Sequence, residues 1–574
     1  TAGRGILPYQ FGHQLVQQAI AALVEPERLR ERSRRLARAL KTLYPERERE
    51  FASQIAAHLE TAEQPDEAAA EYLVAGGYAL ELGAPDDARR HIDRALALAS
   101  ERPIVAALWR ERQRIDERAS NVAEERADLA ALAAIAEEFD DEDLRCRLLL
   151  RRARLAFNDY SGRSEAFEPL AELRERARRA GSLRWQAEAD LVESMFYPLG
   201  VAAGKGVALA KRALEAYRKL GDDRGAASAL TEMARTLFVS GKTEEARDAV
   251  QKALALAEVV GDYAVAERAL GHASVNAQDN FDRDAVVKWS ARWLDLTVKA
   301  GDRRCEADAL GQSTWPLLWS ANFLEALPIL DRAAAICKEC GLLPALTVIE
   351  MNVAEFDIKL GRFDDAVSTF ERAAEAYGTI APFFASHARA SLVVPLTYGG
   401  RARDAVPLGR DALAALEATE NVFERENTLH NVAEAEYAVG ELAAAIEHLE
   451  TAATIRRETS AAIAAAHHGA LLAALYAESG DCARALANAA QVPTHEPERS
   501  VGQLWPQRAA WCVAFAYRAC KREAEANEWL NRAIALYEAH LPYLSEEQRS
   551  IFSALPWHAA MLAAKAGTRP SRVW

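Results

Sequence analysis

Two stretches of this 574-residue chain approach the glycine-rich loop G-x-x-x-x-G-K-[ST], whose amides cradle phosphate and whose hydroxyl holds Mg²⁺. Gly200 to Gly206 reads GVAAGKG, one residue short between its glycines and lacking the hydroxyl; Gly241-Lys242-Thr243 has Thr236 where the first Gly belongs. Neither follows a strand pattern, so neither is read as a phosphate loop. Cys337 and Cys340 form a C-x-x-C, yet no second pair supplies the three or four ligands that zinc requires, and they read as packing or incidental thiols. His467 and His468 are adjacent and cannot share one helical face. The 85 acidic residues guarantee chance carboxylate pairs, and none converges with a base or nucleophile. The expectation is a non-enzyme with no cofactor and no metal.

Residue types suited to recognition are more prominent. Trp289, Trp293, Trp315 and Trp319 crowd into one short stretch, each pair spaced by one helical turn. Exposed rings could stack on a ligand or anchor a peptide side chain. Trp289 and Trp293 read as fillers between helices; for Trp315 and Trp319 filler and ligand contact stay equally open.

These residues sit in a repeat. Gly181, Gly221, Gly261, Gly301 and Gly341 fall forty residues apart, and Gly241, Gly361, Gly400, Gly440 and Gly480 lie half a period out of phase. Glycine enters the left-handed conformation without a Cβ penalty, so it ends one helix and lets the next fold back. Five residues after the turn position stands an Ala, at 246, 285, 326, 366, 405, 445, 485 and 526, and seven further another, at 253, 333, 373, 412, 452 and 533. Small residues seven apart share a helix face and let neighbouring backbones approach closely. Weaker copies begin upstream, where Gly83, Ala88 and Ala95 keep the spacing and Pro65 opens a helix. Residues 101 to 180 keep helical periodicity without the turn glycines, and Gln491 to Ser500 is a Pro-rich loop.

The G-x-x-x-x-A turn, the second-helix alanines and the large apolar residue between them, as in LGRFDDAVSTFERAAEAY from Leu360 to Tyr377, resemble the tetratricopeptide repeat. The period departs, being forty residues against about 34, which predicts longer helices. The resemblance implies an all-α fold, a right-handed α-solenoid of about 12 hairpins whose first helices line a concave groove. Its outward positions lie two, three, six and ten residues before each turn. Carried onto this chain they are Arg235, Phe238, Trp315, Trp319, Glu355, Tyr398, His430, Glu434, Tyr437, Trp511, Phe515 and Arg518. Asn352 and Asn431, nine before their turns, match positions that hold ligand backbone in related peptide-binding arrays.

Residues 1–50 do not fit the repeat. Phe11, His13, Leu15, Val16, Gln18 and Ala19, ahead of an Arg-rich helix, resemble the junction after the winged-helix part of STAND-type signalling ATPases. The stretch Tyr543 to Gly567 resembles the closing helix of the repeat arms in bacterial cyclase-linked ATPases and ATPase-type transcriptional activators. The expected organisation is a junction over 1–50, a solenoid over 51–540, and a capping helix with a basic tail over 541–574. The start at Thr1 without Met reads as a piece cut from something longer.

A net charge of −15 and a pI near 5.5 argue against a nucleic-acid surface, which needs a dense basic field. No apolar run spans a bilayer, and seven scattered cysteines fit reduced thiols and a cytoplasmic protein. The leading expectation is a sensor or scaffold arm of a signalling ATPase, binding a protein, peptide or small effector in its groove. A self-contained peptide-pheromone receptor and a hydrolase on a helical scaffold are the rival readings, the latter without a motif.

Overall fold

The computed structural model describes residues 24–573, apart from 83, 120–121, 139, 159–162, 198–201, 280–281, 321, 341, 379–381, 418–420, 460–461 and 493–504. The junction motif from Phe11 to Ala19, Gly341 and most of the Gln491 to Ser500 loop therefore lie outside the described residues. Every described element is helical, and no strand occurs among the described residues. Most described helices pack chiefly on the one before and the one after, as an all-α solenoid of helical hairpins does.

Local chemistry explains the reversals. Gly221 takes φ 68° after the helix Ala203–Leu220, and the next residue, Asp222, accepts a hydrogen bond from the Gly225 amide at 2.8 Å. One residue thus closes a helix and its neighbour opens the next, satisfying orphan carbonyls and amides in turn. Asp302 does the same for the Cys305 amide. Asp140 and Lys521 turn left-handed without glycine, at a cost of about 1–2 kcal/mol each. Those substitutions hide turns from a count of glycines.

The helices divide into two compact units, Thr1–Leu148 and Leu149–Trp574. In the first, Ala56, Ala69, Ala88, Ile92, Ala95 and Leu108 are fully buried. Residues 101 to 180, where the glycines fail, still form helices: Arg102–Ala119, Val122–Glu138, Glu142–Asn158 and Arg163–Arg179.

In the second unit the small-residue positions lie at the helix contacts. Ala246, Ala326, Ala366, Ala405, Ala445, Ala485 and Ala526 are all buried, as are Ala253, Ala333, Ala373, Ala452 and Ala533. Ala285 and Ala412 are half-buried. First helices of successive hairpins also touch one another: Asp223–Val239 meets Tyr263–Asp279, which meets Arg303–Ser313, which meets Leu343–Leu360.

Two expectations change. The first helix carrying Trp315 and Trp319 is broken: Arg303–Ser313 ends at Thr314, and Trp315–Trp319 is a separate short helix with Pro316 in its first turn. Proline lacks the amide that would continue the ladder, so the break falls there. The cysteines are not all reduced, since Cys482 and Cys520 form a disulfide with Cα atoms 5.5 Å apart. Cys482 opens the helix Cys482–Ala489 and Cys520 follows the helix Pro506–Ala519, two ends that the repeat brings side by side; scattered sequence positions conceal that proximity. Among the described helices none is long and apolar enough to cross a membrane.

Candidate ligand-binding site

The residues that could recognise a ligand gather on the first helices of the second unit. Glu232, His272, Gln312, Asn352, Ser391 and Asn431 occupy one position, nine residues before successive turns. They form a polar row along successive first helices, and none is fully exposed. Adjacent first helices are bridged by polar side chains, as where the Gln312 amide donates to the Gln278 carbonyl at 2.5 Å. The Asn352 amide nitrogen lies 3.3 Å from where a Cβ on Gly311 would sit. Burial depresses His272 to about 4, with Glu232 opposing and Arg235 and Arg268 reinforcing the shift, so this imidazole stays neutral near pH 7.

Arg235 is fixed rather than free: it donates to Glu232 at 3.0 Å and to the Met195 carbonyl at 2.7 Å. Phe238 is buried and stacks on Phe423, ring centroids 4.6 Å apart. Trp315, Trp319, Asn352, Glu355 and Asn431 are half-buried and keep part of their surface in solvent. Burial pushes the Glu355 carboxyl up to about 7, with His387 opposing.

A second group is a buried polar chain. Glu426 meets His468 at 2.5 Å, His468 meets His430 at 3.0 Å, and His430 meets Glu434 at 3.2 Å. The Tyr398 hydroxyl donates to Glu434 at 2.5 Å, and Arg508 pairs with it at 2.7 Å. Burial would raise the Glu434 carboxyl, but Arg508, His430 and Tyr398 together hold it down at about 2. Arg508 in turn lies over the rings of Tyr398 and Trp557, 5.1 and 4.9 Å from their centroids.

The third group joins Tyr437, Trp511 and Phe515 to the segment after the helix Pro556–Lys565. Tyr437 is 1% exposed and its hydroxyl donates to Glu478. The Trp511 indole donates to the Val573 carbonyl at 2.8 Å, and Arg572 donates to the Tyr437 carbonyl at 2.8 Å. Phe515 is buried edge-on against Trp511. Arg518 turns away to Asn527 at 2.9 Å. Trp293, read as filler, lies 3.1 Å from a Cβ built on Gly271 and is buried, while Trp289 is half-buried beneath Lys288.

Sequence reasoning missed His468, Glu426, Arg508, Glu478 and Arg572. Arg508 was findable, one helical turn before Trp511 on the same face. The others depend on which helices meet. The lysine of the first glycine-rich stretch, Lys205, pairs with Glu193 at 3.1 Å near the start of the helix Ala203–Leu220. Glu267, Asp302 and Cys305 bring ligand atoms within 4.8 Å of one another. Asp302 already caps the Cys305 amide there, and burial raises the Cys305 thiol, which disfavours the thiolate a metal would need.

The class that this fold and face define is a helical-hairpin solenoid with a polar and aromatic first-helix face. No protein-family model matches the chain, and no curated protein matches it. Solved structures do. A Rap protein complexed with Competence and Sporulation Factor is similar over 62% of this chain and 98% of its own, with 15% identity and a TM-score of 0.49. A chain of the APC/C hetero-tetramer Cut9–Hcn1 is similar over 94% of this chain and 92% of its own, with 12% identity and a TM-score of 0.48. A Signal Transduction ATPase with Numerous Domains carrying a tetratricopeptide repeat sensor, from Pyrococcus horikoshii, is similar over 67% and 52%, with 14% identity and a TM-score of 0.34.

Proposed function

We propose that this chain is a non-catalytic binding array that takes a protein, peptide or small effector along its first-helix face, as the sensor arm of a STAND-like signalling ATPase. The observation that carries the binding reading is the polar row Glu232, His272, Gln312, Asn352, Ser391 and Asn431, repeated at one place on successive helices. Its half-buried members His272, Asn352, Ser391 and Asn431 keep part of their surface in solvent at the spacing of stacked hairpins, which suits an extended ligand, while Glu232 and Gln312 are buried and paired with Arg235 and Gln278. The residues assigned to contact are Trp315, Trp319, Asn352, Glu355 and Asn431, with Arg235, Tyr398 and His430 positioned behind them. A catalytic reading would require an acid, base or nucleophile converging on open space. The buried Glu426–His468–His430–Glu434 chain is instead closed by Arg508 and Tyr398.

Signal transfer would follow from a ligand that favours one arrangement of the hairpins over another. The test is a random-sequence peptide array probed with the purified chain and with a Gln312→Ala/Asn352→Ala variant of unchanged circular dichroism. Binders selected by the parent and lost by the variant support the assignment; equal binding by both overturns it.

A further inference from the structure

The segment Thr568–Val573 lies outside any helix and is largely exposed, yet Val573 is 0% exposed. Its burial is specific. The Val573 amide donates to Glu478 at 3.0 Å and its carbonyl accepts from the Trp511 indole at 2.8 Å, so both backbone groups are met by side chains. The preceding Arg572 lies over the Tyr437 ring, 4.4 Å from its centroid, donates to the Tyr437 carbonyl, and has Glu478 4.0 Å away.

We propose that Tyr437, Glu478 and Trp511 form a recognition pocket for an extended peptide bearing an arginine followed by a small aliphatic residue, and that Arg572–Val573 fills it in cis as an exchangeable occupant. Three features support this. An aromatic face beside a carboxylate selects a guanidinium by cation–π attraction and charge together. Pairing of amide and carbonyl by Glu478 and Trp511 recognises main chain and so requires an extended strand. The stretch from Lys565 to Arg572 is held by few buried groups: Lys565, Ala566, Gly567, Thr568, Arg569, Ser571 and Arg572 are all exposed. Opening it withdraws Val573 from the apolar cluster that it shares with Tyr437 and Trp511 and uncovers those two rings, leaving the pocket open to a second peptide.

The proposal deepens the binding reading above, because Tyr437 and Trp511 lie on the same first-helix face, and it is separable from it because the probe is the chain's own sequence. A tethered segment competes at an effective concentration on the order of millimolar, so the intact chain should bind free peptide weakly. The experiment loosens the tether in the full chain with Arg572→Ala/Val573→Ser and titrates fluorescein-labelled GTRPSRVW by polarisation. The loosened chain should bind at least tenfold more tightly than the parent. Replacing the second arginine of the peptide by alanine, or introducing Glu478→Gln or Trp511→Phe into the loosened chain, should each weaken binding at least tenfold. Val259→Ser, at a 79% exposed position of the helix Thr243–Val260 that belongs to neither site, should leave this peptide's affinity unchanged. A loosened chain that melts like the parent but binds no peptide at millimolar concentration overturns the proposal. So does one that fails to fold, because the segment would then be part of the core.

Discussion

Phe238 and Phe423 stack with ring centroids 4.6 Å apart and planes inclined by 20°, although they belong to hairpins far apart in sequence. With Leu237 and Ala246 they form a small apolar cluster in which the first helix Asp223–Val239 reaches the first helix Val422–Val439. A repeat array held only by nearest neighbours would lack such a contact, so this pair ties distant hairpins of the second unit together.

Removing either ring should therefore be felt globally. Phe423→Ala is expected to cost about 3 kcal/mol, and the double-mutant cycle with Phe238→Ala should return a coupling of about 0.5–1.5 kcal/mol. Urea denaturation of the four chains measures it. A coupling of zero would mean that the rings touch without stabilising.

Arg508 and Glu434 are each about 5% exposed by side chain and 2.7 Å apart. Removing one partner leaves the other charge buried, so Arg508→Met should destabilise by about 3–5 kcal/mol. Adding Glu434→Gln should recover part of that loss, because the stranded charge is then gone. Equal stability of the single and double variants would contradict this.

His540 and His558 give an acid limb. Burial holds both near 3, with Lys359 adding to the shift, against an ordinary value of 6.5. The His558 Nδ1–H donates to the Phe552 carbonyl and its Nε2 accepts from the Gln507 amide, the neutral tautomer. Because the unfolded chain takes up these protons first, stability is full above about pH 6.5 and falls as pH drops toward 3. Glu355 acts oppositely, its stability contribution being lost as pH rises through about 7. Denaturation midpoints at pH 7.5, 6 and 5 should decline toward acid, and His540→Gln/His558→Gln should flatten that decline.

The Cys482–Cys520 bridge closes a loop of 38 residues in sequence separation. Chain entropy assigns such a loop about 3–4 kcal/mol, so reduction or Cys482→Ser should lower the melting temperature by several degrees. A melting temperature unmoved by dithiothreitol would mean that the bridge adds nothing.

Much of the fold was legible in the sequence because it is local. A left-handed Gly361 at the end of Leu343–Leu360 and an Ala366 that lets the next helix approach are properties of a few consecutive residues, repeated. Where a turn used Asp140 or Lys521 instead of glycine, the pattern weakened although the helix reversal survived. The break at Thr314 was missed because Pro316 interrupts a helix whose apolar spacing continues through it.

The sequence alone thus determined the helical hairpins, their period and the small residues between them, since these follow from backbone conformation and side-chain size over short distances. Only the tertiary structure decided that Trp511 would meet Val573, that Arg508 would be sealed against Glu434, and that Phe238 would face Phe423. Those contacts depend on which helices and segments meet across the array, at sequence separations far longer than a turn, and no short stretch of sequence encodes that meeting.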